Sequence, residues 1–408
     1  VVAPPGRCED RWMTTEVARG QQRRMTAVLR DEETVTPLEL FFDLVFVLGL
    51  TQCTALMAAE PTWEGLAKGL LVLGVMWWSW VGYSWLTSVL DPEEDAVRLV
   101  IFAAMAALLV VGLCVPHAFD DAALIFALAY ALVRVAHIAL FMLASSEDPL
   151  FRKSVVRLAI STAIGVGLLV AASFADGLLQ GGLWALALAL DMGGTYLIDA
   201  EGWRLVPHHF AERHALIVII AIGESIVAVG VGADAKVDLG IVLAATLGTA
   251  VAAALWWLYF DIVALVAARR LAEAQPGRHQ NEMARDSYSY MHFPMVAGIV
   301  LVALGMKKTL GHVEDPLKLV PVTALLGGTA MYLLAHVAFR YRHIHTLNTR
   351  RLALAAALVA FIPVAVEIPA LATLGVLAAA LAILIAIETR NYGDARNRVR
   401  HELRHEGG

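Results

Sequence analysis

The sequence predicts an all-α, polytopic membrane protein of about twelve transmembrane helices, arranged as two parallel six-helix repeats. Three observations lead there. Of 408 residues, 59% are hydrophobic. Only 17% are charged, against roughly 25% in an average soluble domain. Those charges gather at the ends and in a few short loops. The apolar runs left between them are about 20 residues long, enough to cross a bilayer as a helix. The pattern excludes an ordinary soluble enzyme, a disulfide scaffold and a disordered chain. It also excludes a β-barrel, whose strands would alternate apolar and polar residues. The net charge of -6 gives no reason to expect a nucleic-acid partner. Cys8, Cys53 and Cys114 lack metal-ligand spacing, and two of them lie in apolar segments.

Residues 1–37 are rich in Arg and Glu, with no apolar core of a signal peptide. Span one, 38–58, has Thr36 as its N-cap and Pro37 in its first turn. Span two, 66–88, carries the aromatic run Trp77-Trp78-Ser79-Trp80, and span three, 97–117, is a plain apolar run. Span four, 122–144, holds Arg134 and His137. Span five, 154–175, opens on Arg157-Leu158-Ala159, and span six, 178–198, holds Asp191 amid small residues. A linker, 199–211, leads to span seven, 212–232, which holds Glu224. Span eight, 239–267, is long enough that it should tilt or bend. Span nine, 287–306, follows the longest internal loop, 269–286, read as a connector only. Span ten is 318–340. Spans eleven, 351–369, and twelve, 371–388, meet in a tight turn near Pro369, and 389–408 is a C-terminal tail.

Basic residues orient these spans. With both ends inside, 25 of the 31 Lys and Arg residues fall on the cytoplasmic side. Only Lys68, Lys236, Lys307, Lys308 and Lys318 fall opposite, and Arg134 stays within a span. This is a strong positive-inside bias. It predicts a multi-pass protein of the inner (plasma) membrane with both termini cytoplasmic.

The halves resemble each other. Trp77-Trp78 recurs as Trp256-Trp257, Ala136-His137 as Ala335-His336, and Arg157-Leu158-Ala159 as Arg351-Leu352-Ala353. The repeats are therefore 38–198 and 212–388. An even number of spans in each makes them parallel.

A charged side chain at mid-bilayer costs roughly 2.5–3.5 kcal/mol, so each one needs a partner or a wet cavity. Glu39 and Asp43 are four apart and share a face of span one. Glu224 lies about 18 Å along the helix beyond Glu212, near the midplane. Its small neighbours Gly223 and Ser225 admit another helix or a ligand. Arg134 needs a carboxylate, and the candidates are Asp43, Asp191 and Glu224. Glu212, Arg213, His214, Asp261, His292 and His336 complete the candidate substrate or proton site. His208, His209, Glu212 and His214 do not form a zinc-protease motif, and no metal is expected. Most of these residues fall in the cytoplasmic half, which predicts one polar cavity opening to that side.

Five stretches resemble the bacterial low-temperature-requirement protein A family: PLELFFDLVFV at 37–47, WWSWVGY at 77–83, HFAERH at 209–214, IGESIV at 222–227 and RDSYSYMH at 285–292. The resemblance covers about 36–340. It implies an integral membrane protein, with Glu39, Asp43, Glu212, Arg213, His214 and Glu224 inside the family's motifs. It implies no settled reaction, substrate or cofactor.

The leading functional reading is a secondary transporter or proton-linked permease. Glu224 and Asp43 would take and release a proton, with Arg134 as counter-charge. The alternatives are an intramembrane enzyme on a lipid or isoprenoid substrate, a sensor or structural membrane protein, and a channel. Expected partners are membrane lipids and a small molecule or ion. The oligomeric state is open.

Overall fold

The computed structural model describes residues 34–197, 202–232 and 238–406. Residues 1–33 of the predicted N-terminal segment, part of the predicted linker, and Lys236 lie outside them. All of the long elements are helices, and among the described residues ten helical segments are long and apolar enough to cross a membrane. The molecule is thus a multi-pass integral membrane protein.

The helices are α1 Pro37–Ala59, α2 Trp63–Thr87, α3 Asp95–Cys114, α4 Ala123–Ala144, α5 Pro149–Ala172 and α6 Gly177–Leu197. They continue with α7 Pro207–Gly232, α8 Leu239–Phe260, α9 Val263–Glu273, α10 Arg278–Met283 and α11 His292–Gly311. The last are α12 Leu319–Val322, α13 Gly328–Ile344, α14 Thr349–Ala365 and α15 Ala370–Glu406. Many of them start on local chemistry. Thr36, Thr62, Asp148, Asp238 and Asn348 are N-caps whose side chains accept backbone N–H bonds, satisfying donors that a helix start leaves unpaired. Pro at the first position of α1, α5 and α7 fits the same place. Spans five and seven therefore begin at Pro149 and Pro207, earlier than their apolar runs suggest.

The predicted sixth and eleventh spans are the helices α6 and α14, but neither is among the ten. Gln180, Asp191 and several glycines dilute the apolar run of α6, and α14 has 17 residues. Span eight does not merely bend. It breaks after Phe260 into α8 and the amphipathic α9. The 269–286 connector is largely helical. α9 reaches Glu273, α10 follows, and a π-helical turn, Ala284–Tyr290, runs into α11. A second π-turn, Thr323–Gly327, joins α12 to α13. The predicted C-terminal tail continues α15 as helix to Glu406. The turn before α15 is held by Ala370 N–H donating to Asp315 O and Leu371 N–H donating to Val313 O.

In the first half, α1 packs on α2 and α3, α3 on α4, α4 on α5, and α5 on α6; α2 also touches α4 and α6. In the second, α7 packs on α8 and α11, α11 on α13, α13 on α14, and α14 on α15; α8 touches α15. The halves meet where α1 and α2 pack on α7 and α11. α11 is buried over most of its length.

Candidate functional site

Two sequence motifs meet at the start of α1 and α7. Thr36 and Glu39 form a capping box on α1: the Thr36 N–H donates to Glu39 Oε2 at 2.9 Å, and the Glu39 N–H donates to Thr36 Oγ1 at 3.4 Å. The cap uses Oε2, so Oε1 is turned toward α7. There it accepts from Arg213 Nη1 at 3.0 Å and from His209 Nε2 at 2.8 Å. One turn further along α1, Asp43 Oδ1 accepts from Arg213 Nη2 at 2.7 Å and from Trp80 Nε1 of α2 at 2.8 Å. A single guanidinium fork thus spans two carboxylates, the geometry for which Arg is suited and Lys is not. The guanidinium also lies 5.6 Å from the Trp80 ring centroid, within cation–π range. Glu39, Asp43, His209 and Arg213 are all buried. Asp43 Oδ2 and Arg213 Nε have no hydrogen-bond partner.

Imidazoles and phenols extend this cluster. His209 Nδ1 lies 3.0 Å from Ser88 Oγ. Because Nε2 donates to Glu39, Nδ1 can accept from that hydroxyl. His214 Nδ1 donates to Phe210 O at 2.8 Å, and its ring lies 4.9 Å from Trp80 and 5.3 Å from His292. His292 Nδ1 donates to Ser287 O at 3.1 Å, which leaves Nε2 to accept from Tyr259 Oη at 2.8 Å. Trp77 and Trp85 of α2 donate to Ser289 O and Oγ, both at 2.9 Å. The π-turn carrying Ser287 and Ser289 is therefore tied to the helix that holds Trp80. Wide turns of this kind are frequent at functional sites.

The other predicted residues fall into separate places. Arg134 pairs with Asp191, one of its three candidates, at 3.0 Å, and it also donates to Thr162 at 2.7 Å. It is not the counter-charge of Asp43 or Glu224. It faces α5 and α6 within the first half, whereas α7 brings Arg213 to Asp43. Glu224 is buried and accepts from the Thr51 hydroxyl of α1. It lies about 16 Å along α7 from Arg213. A Cβ at the neighbouring Gly223 would meet nothing within 4 Å, so that glycine admits no helix. Glu212 is exposed and accepts from Val35 N–H at 3.1 Å. With His208 it lines an open groove of about 730 Å³ between α7 and α9.

Two cavities flank the centre instead of one leading into it. The first, about 80 Å³, is lined by Gly82, Arg134, His137 and Arg285 together with Trp78 and Trp203. The second, about 230 Å³, is lined by Asp261, His336, His343, Arg351 and Glu388. Beside Glu39 and Arg213 there is only about 10 Å³. In the second cavity Arg351 grips Glu388 in a fork, at 3.0 and 2.8 Å, and donates to His336 Nδ1.

Sequence reading singled out neither the Arg351–Glu388 pair nor the part His209 plays. Both ends of that pair fall at the limits of predicted spans, 351–369 and 371–388, where charges look like ordinary positive-inside or tail residues. Arg351 stands in the repeated Arg-Leu-Ala motif, and that was the available signal. His209 stands among His208, Glu212 and His214, in a polar stretch ordinary for the end of a span, which hides its role. Helical spacing could have found it, since His209 and Arg213 are four apart and share the face turned to α1.

The model of the bacterial low temperature requirement A protein (LtrA) family matches residues 34–386. An uncharacterized protein of Rhizobium meliloti (strain 1021) is 29% identical over 307 residues, which covers 72% of this chain and 74% of that protein. No solved structure matches the chain.

Proposed function

We propose that this chain, which belongs to the bacterial low temperature requirement A protein family, is a proton-linked secondary transporter of twelve spans in two parallel repeats. The repeats are 38–198 and 212–388, the termini are cytoplasmic, and the membrane is the inner (plasma) membrane. The order of helix neighbours supports the duplication: α1–α3, α2–α6 and α4–α5 contacts recur as α7–α11, α8–α15 and α13–α14 contacts. On that reading α1 and α7 are equivalent helices, and α6 and α14 complete the twelve.

The observation that carries the reading is the Arg213 fork across Glu39 and Asp43. The fork joins the first helix of one repeat to the first helix of the other. Rocking one repeat against the other, as alternating access requires, would pull the guanidinium from the two carboxylates. Buried carboxylates cannot stay charged and unpaired at reasonable cost. A proton bound to Asp43 would replace the departing positive charge, so opening and protonation become one event. Glu224, deeper on the same helix pair and bonded to Thr51, is a second proton station.

The test uses purified protein in liposomes with a trapped pH-sensitive dye. Candidate solutes are added outside and the internal pH is followed. Wild type should move protons with a solute. Glu224→Gln should bind it and move no proton. Unchanged proton movement in Glu224→Gln would count decisively against the coupling.

A further inference from the structure

We propose that the cavity lined by Arg134, His137 and Arg285 binds a small organic anion, a carboxylate on an apolar body. This names a substrate class for the transporter reading and rests on it only for the step after binding.

The charge around this cavity is one-sided. Arg134 and Arg285 line it, and no Asp or Glu does. Their partners Asp191 and Asp286 lie outside the lining, and Asp286 is shared with Arg342 at 3.4 Å. Arg134 has Asp191 to itself, whereas Arg285 shares Asp286 with Arg342 and is only partly compensated. A buried donor is also left over. Arg134 Nε has no partner, and the polar neighbour of the 1% exposed His137 ring is the Gly82 backbone. Buried polar groups are normally bonded, so this part of the wall is left short of acceptors.

The rest of the wall is aromatic: Trp78, Trp85, Phe141 and Trp203. These rings suit the apolar part of a small acid. A volume of about 80 Å³ holds roughly five to eight water-sized groups, which fits a small acid. Gly82 lets the two side chains close against α2, because a Cβ there would come within 2.8 Å of the His137 ring and 3.3 Å of Arg134 Nη1.

The second cavity supplies a contrast within the same chain. At the offset that relates Trp78 to Trp257, Gly82 corresponds to Asp261. Asp261 and Glu388 both line that second cavity beside Arg340 and Arg351, so its charges are matched within the lining.

The test is isothermal titration calorimetry of the purified protein in detergent, with butanoate and benzoate as ligands and butanamide, benzamide and inorganic phosphate as comparisons. Saturable carboxylate binding should be at least tenfold tighter than that of the matching amide. It should weaken at least tenfold in Gly82→Leu, which displaces His137 and Arg134 from the wall, and in Arg285→Gln, which removes the charge without adding bulk. Amides binding as well as acids, phosphate binding better than either acid, or no binding at all would overturn the assignment. So would carboxylate binding untouched by both substitutions in proteins that keep their wild-type melting profile. Liposome flux separates this inference from the reading beneath it. Carboxylate binding without proton movement overturns the transporter and leaves the site. Proton-linked flux indifferent to both substitutions overturns the site and leaves the transporter.

Discussion

Arg213 is the residue on which most depends. It compensates Glu39 and Asp43, which are 1% and 0% exposed. Arg213→Gln leaves two buried carboxylates without their cation, which should cost about 3–5 kcal/mol, read by denaturant unfolding in detergent. Removing the carboxylates as well, with Glu39→Gln and Asp43→Asn, should recover part of that loss, because no unpaired charge then remains. Arg213→Lys should recover less, since an ammonium cannot fork between two acceptors. That Glu39 and Asp43 belong together was legible in their spacing of four. Their partner was not. The sequence points to Arg134 as the counter-charge, and the packing of α7 on α1 puts Arg213 there instead. The same holds for Trp77 and Trp78 against Trp256 and Trp257. The motifs match, yet the first pair is 1% and 4% exposed and the second 44% and 38%. α2 lies between the halves, whereas α8 packs at the edge against α15.

The elements are held together largely by small residues. Without a hydrophobic drive between helices in lipid, close backbone approach does the work. Gly298 of α11 and Gly328 of α13 face each other. A Cβ at Gly298 would lie 2.6 Å from Gly328 O, and one at Gly305 would lie 2.5 Å from Leu325 Cβ. Gly298→Ala should therefore destabilise by about 1–3 kcal/mol, measured as a lower melting temperature in detergent. Gly223→Ala, with open space around it, should change stability little. Apolar run length gave most helices their position, and the caps gave several their starts. The α8–α9 break and the two π-turns were not legible. The first π-turn is engaged from another helix, by the Trp77 and Trp85 donors that bond Ser289. Local propensity carries no record of that.

For the whole molecule, the charge asymmetry makes a prediction of its own. In a variant with its native cysteines replaced, Lys68→Cys should react with an impermeant maleimide on intact cells. Arg152→Cys should react only after the membrane is opened. The reverse result would invert the topology and, with it, the side from which the proposed proton site is reached. The two flanking cavities differ in charge: Arg134 and Arg285 stand without an acid in the lining of the first, whereas Asp261 and Glu388 offset Arg340 and Arg351 in the second.

Membrane class, the position of most helices and the polar residues that resist the bilayer can all be read along the chain. Those follow from local quantities, namely run length, caps and the cost of burying charge. Tertiary structure decided who pairs with whom: Arg213 with Glu39 and Asp43, Arg134 with Asp191, Arg351 with Glu388. Each pairing joins residues far apart in the chain across separate helices. It is fixed by which helix faces are brought together, and no local signal in a one-dimensional chain encodes that choice.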